Sequence, residues 1–294
     1  MKLSYVLITA ARNEEAFIER TIQSVIAQTI LPKKWVIISD GSTDGTDEIV
    51  QRYAKEKDWI ELVRMPERRE RHFAGKAYAF NTGYEKVKNL QYDIVGNLDA
   101  DISFGEDFFE YLLENFGKML DLGVAGTHYV EGEFHSFKDS YIDIHHVNGQ
   151  CQLFRRQCFE EIGGYLLVKD GGIDWIAVTT ARMNGWKTYS FGERTFMHHR
   201  GMGTASSNVF KARFHYGKKD YFFGGHPLWQ ILRGVFQMTR KPYIVGGVLL
   251  VTGYFWAWLT QVERPVSRSL MKFYRREQMG RLKKLLSERL KIAR

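Results

Sequence analysis

Ile94-Val95-Gly96-Asn97-Leu98-Asp99-Ala100-Asp101-Ile102-Ser103-Phe104 opens as a largely apolar run and ends on two carboxylates one alanine apart. A short continuous apolar run is the pattern of a strand buried on both faces, as in parallel sheets covered by helices. Acids at the end of such a strand lie at the sheet edge. Residues i and i+2 of an extended chain point the same way, so Asp99 and Asp101 are expected to face one centre. Two carboxylates without thiolates suit a hard divalent cation, Mg²⁺ or Mn²⁺, its shell completed by water and phosphate oxygens. The alternative is a solvated, Asp-rich turn.

The same pattern recurs upstream. Tyr5–Ala11 predicts a first strand, and Asn13 is placed to cap a helix running to about Gln28. Trp35–Ser39, Ile60–Met65 and Asp93–Leu98 predict further strands, with helices over 46–57 and 77–88 between them. This βαβαβαβ series predicts an α/β fold with a mostly parallel sheet flanked by helices. A helix (108–119), strands over 124–130 and 188–197, and a Gly-rich section follow.

Composition sets the frame. A chain of 294 residues, 44% hydrophobic and 26% charged, is long enough for one large α/β domain with an appendage. Cys151 and Cys158 give neither a disulfide framework nor a four-ligand zinc site, so a reducing cytosol is expected. The first residues run straight into a strand, without the apolar core of a secretory signal. The net charge of +8 lies in the tail: residues 264–294 carry eleven Lys/Arg and two Glu, leaving the body near −1. A basic tail on a neutral body fits an anionic membrane surface at least as well as it fits nucleic acid; the membrane is the expected partner and nucleic acid is not.

Residues 243–261 contain no charge, are bracketed by Arg240-Lys241 and Glu263-Arg264, and include Trp256 and Trp258. Three alternatives follow: an interfacial or re-entrant hairpin, a true span, or a core or oligomer helix. A span would put the basic tail on the far side from the body, against the positive-inside tendency. Leu270, Phe273, Leu282, Leu285, Leu286 and Leu290 recur at near-helical spacing among the tail's basic residues. That spacing fits a helix lying on lipid, a dimerisation helix or a core-packing helix.

Further polar residues fall at the strand ends, where open α/β sheets bind ligands. Asp40-Gly-Ser-Thr-Asp-Gly-Thr46 follows the second strand, and its small residues let a planar ring approach; a plain turn with Asp44 or Thr46 as helix cap is the alternative. Thr9-Ala10-Ala11-Arg12-Asn13-Glu14 closes the first strand, while Lys76 and Asn81 follow the third. Asp174 precedes a helical segment (175–183), where it could serve as N-cap. His198 and His199 end a strand, where on sequence alone a His pair is more often a packing or loop pair, and His145-His146 is a second such pair. The first strand leads into no G-x-G-x-x-G turn, which disfavours a dinucleotide oxidoreductase.

Taken in order, Thr9-Ala-Ala-Arg-Asn-Glu14, Asp40-Gly-Ser-Thr-Asp-Gly-Thr46, Gly75-Lys76 with Asn81 and Gly83, Asp99-Ala-Asp101, Gly149 with Leu153-Phe-Arg-Arg156, Phe159-Glu-Glu-Ile-Gly-Gly164 and Asp174 resemble family 2 glycosyltransferases of the GT-A fold. The match covers roughly residues 4–200. The resemblance implies an inverting enzyme using a nucleotide-diphospho-sugar, most simply a UDP-sugar, and Mn²⁺ or Mg²⁺. It implies that Thr9, Ala10, Ala11, Glu14, Asp40, Lys76 and Asp99 bind the nucleotide, and that Asp101, Asp99 and His198 bind metal. Asp174 would be the base, Gly149, Gln150 and Trp175 would line the donor-sugar or acceptor region, and Arg200 with the loop 201–205 would close on the diphosphate. Family members commonly carry Glu before the base; this chain has Ile173.

The expected organisation is a catalytic domain over 1–205, divided into a nucleotide half (1–101) and an acceptor half (102–205), then a helical, membrane-associated region over 206–294. The expected partners are the donor, a glycan or lipid-linked acceptor, a membrane surface and, as an option, further copies of the chain. The expected location is the cytoplasmic face of the cell membrane, or the cytoplasm. Two rivals stand beside this: a polyprenyl-phosphate sugar synthase using GDP-mannose or UDP-glucose, and an inactive nucleotide-sugar binding module.

Overall fold

The computed structural model describes the chain except residues 1–2, 68–73, 137–143, 169–170, 201–208 and 293–294, and the side chains of 134, 285–286 and 288–292. It divides into two compact units, Met1–Gly201 and Met202–Arg294.

In the first unit β1 (Tyr5–Ala11), β2 (Lys34–Ser39), β3 (Ile60–Arg64) and β4 (Ile94–Leu98) form a parallel set, with α1 (Ile18–Ile26), α2 (Thr46–Glu56) and α3 (Ala74–Val87) as crossovers. All five residues of β4 are buried, as its apolar run predicts. The helix expected from Asn13 starts instead at Ile18. Asn13 takes a left-handed conformation (φ 56°), and its side-chain oxygen accepts the Thr43 N–H at 2.9 Å. Asn tolerates that conformation, so here it staples two loops instead of capping a helix.

Beyond β4 the sheet is mixed, which corrects the mostly parallel expectation. After β5 (Ile102–Phe104) and α4 (Phe108–Lys118) come β6 (Leu122–Glu131), β7 (Phe134–His135), β8 (Cys151–Arg155), α5 (Arg156–Glu161), α6 (Ile173–Met183) and β9 (Lys187–His198). The strand order is β3-β2-β1-β4-β8-β6-β9-β5, with β7 on β6. β8 runs antiparallel to β4 and β6, whereas β6 and β9 are parallel. The carboxyl ends of β1, β2, β4, β6 and β9 and the amino end of β8 therefore share one edge. Cys151 and Cys158 are free and buried.

The second unit contains α7 (Val209–Phe222), α8 (Pro227–Met238), α9 (Val245–Leu259) and α10 (Arg268–Ile292). Its helices meet through glycines: a Cβ on Gly253 would sit 2.1 Å from the Phe214 carbonyl oxygen, and one on Gly247 2.2 Å from that of Gly234. Gly253→Ala must force α7 and α9 apart, an overpacking cost of about 3 kcal/mol. Amide hydrogen exchange should report it as lost protection in α9 with β1–β4 unchanged. At 15 residues α9 is about 22 Å long, short of the roughly 30 Å hydrocarbon core. Among the described residues no helix is long and apolar enough to cross a membrane.

Candidate active site

The site lies where the strand order turns from β1 to β4, the crevice in which open α/β sheets take ligands. The β1–β4 ladder stops at Ile8↔Asn97, while the β1–β2 ladder continues to Ala11↔Ser39. Thr9–Ala11 thus run on past the ladder with β4. The Thr9 side chain is spent inside, its hydroxyl oxygen accepting the Trp35 indole N–H at 3.0 Å; what Thr9 and Ala10 can offer a ligand is backbone. Asp40 is buried at the end of β2, its N–H bonded to the Ala11 carbonyl at 2.8 Å. Thr46 accepts the Glu14 N–H at 2.7 Å, and Asp44 accepts the N–H groups of Glu15 and Thr46. Asp44 therefore ties the 40–46 loop together, while α2 has Gly45 as its N-cap.

Asp99 and Asp101 feel each other's charge but take different partners. The chain turns at Ala100, and the Thr21 hydroxyl on α1 lies 2.8 Å from the Ala100 carbonyl oxygen. Asp99 faces Lys76, which reaches it from α3 in a short ion pair and also donates to the Gly149 carbonyl at 3.2 Å. Asp101 lies 3.5 Å from His198 Nε2 and 3.5 Å from Arg200 Nε. Arg200 also pairs with Glu14. His198 and His199 diverge as neighbours on a strand do: His199 Nε2 lies 2.8 Å from the Ser103 hydroxyl. His145 packs on Thr188 near the start of β9, the end opposite His198.

Charges set the protonation states. Burial works against a charge on Lys76, but Asp99, with Asp174 and Asp101 behind it, raises its pKa, so it stays an ammonium. Burial, together with the neighbouring Asp101, raises Asp99 above the usual carboxylate range although Lys76 opposes the rise. Asp101 is lowered: burial pushes the other way, but the hydrogen bond and charge of His198 and the Arg200 guanidinium outweigh it. Burial likewise works against a charge on His198, yet Asp101 and Glu131 raise its pKa.

Glu131 is absent from the sequence expectations. It ends β6 and holds His198 Nδ1 at 2.9 Å, which fixes the ring and leaves Nε2 toward Asp101. Its signal was an acid closing a buried strand, as at β4. Asn97 is a second omission; its amide donates to the Gly149 carbonyl at 2.7 Å. Asp174 lies in the first turn of α6, whose N-cap is Gly172, so it is not the cap. A Cβ on Gly149 would fall 2.7 Å from Asp174 Oδ2, which places that carboxylate against the 149–150 backbone. Gln150 joins the same edge, its carbonyl accepting the Asp99 N–H at 2.8 Å. Trp175 follows in α6 and is half-buried. The loop 201–205 lies outside the described residues.

The donor set fits a hard divalent cation. Asp101 and His198 meet, and Glu131 backs the imidazole in the carboxylate–histidine–metal pattern. Among the described residues no group of three or more His, Cys, Asp or Glu side chains gathers at one metal position. A cation here would take few protein ligands and fill its shell with water and phosphate oxygens, as Mg²⁺ and Mn²⁺ do.

A parallel half joined to a mixed half, with acids at the shared edge, is the α/β architecture of GT-A-like glycosyltransferases. Residues 6–148 match the model of Glycosyl transferase family 2. It is 38% identical over 118 residues to a poly-beta-1,6-N-acetyl-D-glucosamine synthase of Staphylococcus aureus (strain COL), covering 40% of this chain and 26% of that protein. Against the protein of that name from Staphylococcus epidermidis it is 27% identical over 190 residues, 57% of this chain and 44% of the other. The chain thus spans about a quarter to under half the length of these relatives.

Solved structures share the fold. The mannosyltransferase PcManGT from Pyrobaculum calidifontis, in complex with GDP-Man and Mn²⁺, aligns with TM-score 0.59 at 17% identity, over 92% of this chain and 78% of its own. S. aureus TarS 1-349 in complex with UDP-GlcNAc aligns with TM-score 0.55 at 12% identity, over 92% and 78%.

Proposed function

We propose that the protein is an inverting, divalent-cation-dependent glycosyltransferase. It moves a sugar from a nucleotide-diphospho-sugar, a UDP-sugar in the first instance, to a glycan or lipid-linked acceptor in polysaccharide or glycolipid assembly. One observation carries this: Lys76 bridges Asp99 and the Gly149 carbonyl with Asp101 and Asp174 close by, gathering three carboxylates and a cation at one sheet edge. Relatives named as poly-beta-1,6-N-acetyl-D-glucosamine synthases, and a fold neighbour holding UDP-GlcNAc, support N-acetylglucosamine as the sugar. In this account residues 1–205 are catalytic, with 1–101 for nucleotide and 102–205 for acceptor. Residues 206–294 keep the enzyme on the cytoplasmic face of the membrane.

The backbone of Thr9–Ala11 and the Asp40 carboxylate hold the base, and Glu14 and Asp99 the ribose side. Lys76 lies toward the phosphates. Arg200 exchanges its contact with Glu14 for the diphosphate, a charge-assisted bond of the same kind. Mn²⁺ or Mg²⁺ held by Asp101 and His198, with Asp99 beside it, would neutralise the charge developing on the departing diphosphate. Asp174 accepts the proton of the acceptor hydroxyl as that oxygen attacks the anomeric carbon from the face opposite the diphosphate. Gly149, Gln150 and Trp175 shape the space where sugar and acceptor meet.

Gly149→Ala should push Asp174 aside and lower kcat by about a hundredfold, the scale of a misplacement of about 1 Å, while UDP binding holds. Steady-state kinetics beside a UDP titration read the two effects separately. The proposal as a whole is tested by thermal shift with UDP, GDP, dTDP and CDP, each with and without Mn²⁺. UDP with Mn²⁺ should stabilise most, by about 2.7 kcal/mol at a hundred times Kd. A larger shift with GDP moves the donor to the GDP-sugars. Absence of a metal-dependent shift with every nucleotide refutes the site.

A further inference from the structure

In the second unit α8 and α9 carry large apolar side chains on their outward faces. On α8 the inward face presents Gln230, whose amide donates to the Leu250 carbonyl at 3.0 Å, and Gly234, with Arg233 paired to Asp220. The opposite face presents Leu228, Ile231, Leu232 and Val235, each between 40% and 56% exposed. These positions follow the i, i+3, i+4, i+7 rule of an amphipathic helix, with the apolar stripe outward. On α9 the inward face is Gly246, Gly247, Leu250, Gly253, Tyr254 and Ala257, while Val245, Val248, Trp256 and Leu259 are exposed along one side. Small residues at helix contacts, polar groups inside and large apolar groups outside are the organisation of helices whose surroundings are hydrocarbon.

The structure assigns these outward stripes of α8 and α9 as a surface inserted into one leaflet of an anionic bilayer. The inference rests on the proposed membrane location and names the part that enters. α8 (12 residues) and α9 (15 residues) are about 18 and 22 Å long, too short to span about 30 Å. They therefore lie along the interface. The turn between them carries exposed Arg240 and Lys241, which suits the headgroup level and not the acyl core. Exposed Tyr243, Trp256 and Trp258 are the aromatic types that settle at that level. A second copy is the rival occupant. A two-fold contact through the stripes would bring both copies' Arg240 and Lys241 together, and the tail of each adds +9; anionic lipid neutralises these charges, whereas a like-charged copy does not.

Flotation of the full chain with phosphatidylcholine vesicles, with and without phosphatidylglycerol, tests this, using wild type, the double variant Ile231→Glu/Val248→Glu, and Lys283→Glu/Lys284→Glu in the tail. Both double variants must keep the wild-type UDP–Mn²⁺ thermal shift, which reports a folded body. Wild type should float with anionic vesicles and keep part of that binding in about 0.5 M NaCl, where surface charge is screened. The stripe variant should lose at least about tenfold in affinity. Brominated lipid should quench wild-type tryptophan fluorescence. Binding that vanishes in salt, is lost in the tail variant and is unchanged in the stripe variant overturns insertion while leaving a peripheral membrane location standing. Failure to float with either vesicle overturns both. A concentration-dependent dimer abolished by the stripe variant, without flotation, assigns the surface to a second copy and overturns the inference.

Discussion

Asp174→Asn should lower turnover by about a thousandfold, within the range for loss of a general base, while donor binding and its dependence on Mn²⁺ stay at wild-type values. The change is isosteric, so Gly149 still accommodates the side chain, but the amide cannot take the acceptor's proton. A purely structural role predicts something else. In the first turn of α6 an acid is worth only about 0.3–1 kcal/mol through the helix dipole, so the variant would melt slightly earlier and turn over normally. Single-turnover kinetics beside a UDP titration separate the outcomes.

Asp101→Ala should be as damaging by another route. It removes the carboxylate shared by His198 and Arg200, and turnover should fall by about a thousandfold as metal-assisted stabilisation of the leaving diphosphate is lost. The Mn²⁺-dependent part of the UDP shift should vanish, and the metal-independent part, from Asp40 and the β1 backbone, should remain. The pH dependence follows from the ion cluster. Asp101 is lowered, so its contribution to stability exists above its unfolded value, near 4, and is lost as pH falls through the folded value. His198 is raised, so its contribution exists below its unfolded value, near 6.5, and is lost as pH rises through the folded value. Without metal, the cluster is therefore strongest between about pH 4 and 6.5 in wild type, and Asp101→Ala should flatten that maximum. A cation must displace the imidazole proton, so Mn²⁺ affinity should rise with pH across the raised His198 value.

Much of this site is legible in the chain. β1, β2 and β4 are largely apolar runs, and their burial on both faces makes pattern and fold agree. Their ends therefore locate Ala11, Asp40 and Asp99 on one edge before any coordinates. The mixed half is less legible, because β8 pairs with β4 across more than fifty residues and no local pattern sets strand direction. The partners of the Asp pair were not legible: Lys76 reaches Asp99 from α3, and His198 and Arg200 meet Asp101 from nearly a hundred residues on. Glu131 and the approach of Gly149 to Asp174 also depend on residues far apart in sequence. In 243–261 absence of charge was plain, but which side faces inward depended on where the glycines meet α7 and α8.

A crystal structure of the protein with UDP and Mn²⁺ bears most directly on the central claim, because manganese can be located by its anomalous signal. The account predicts the ion on Asp101 and His198, touching the diphosphate, with uracil beside Asp40 and the β1 backbone. Manganese on other residues, or UDP bound away from the β1–β4 crevice, would contradict it.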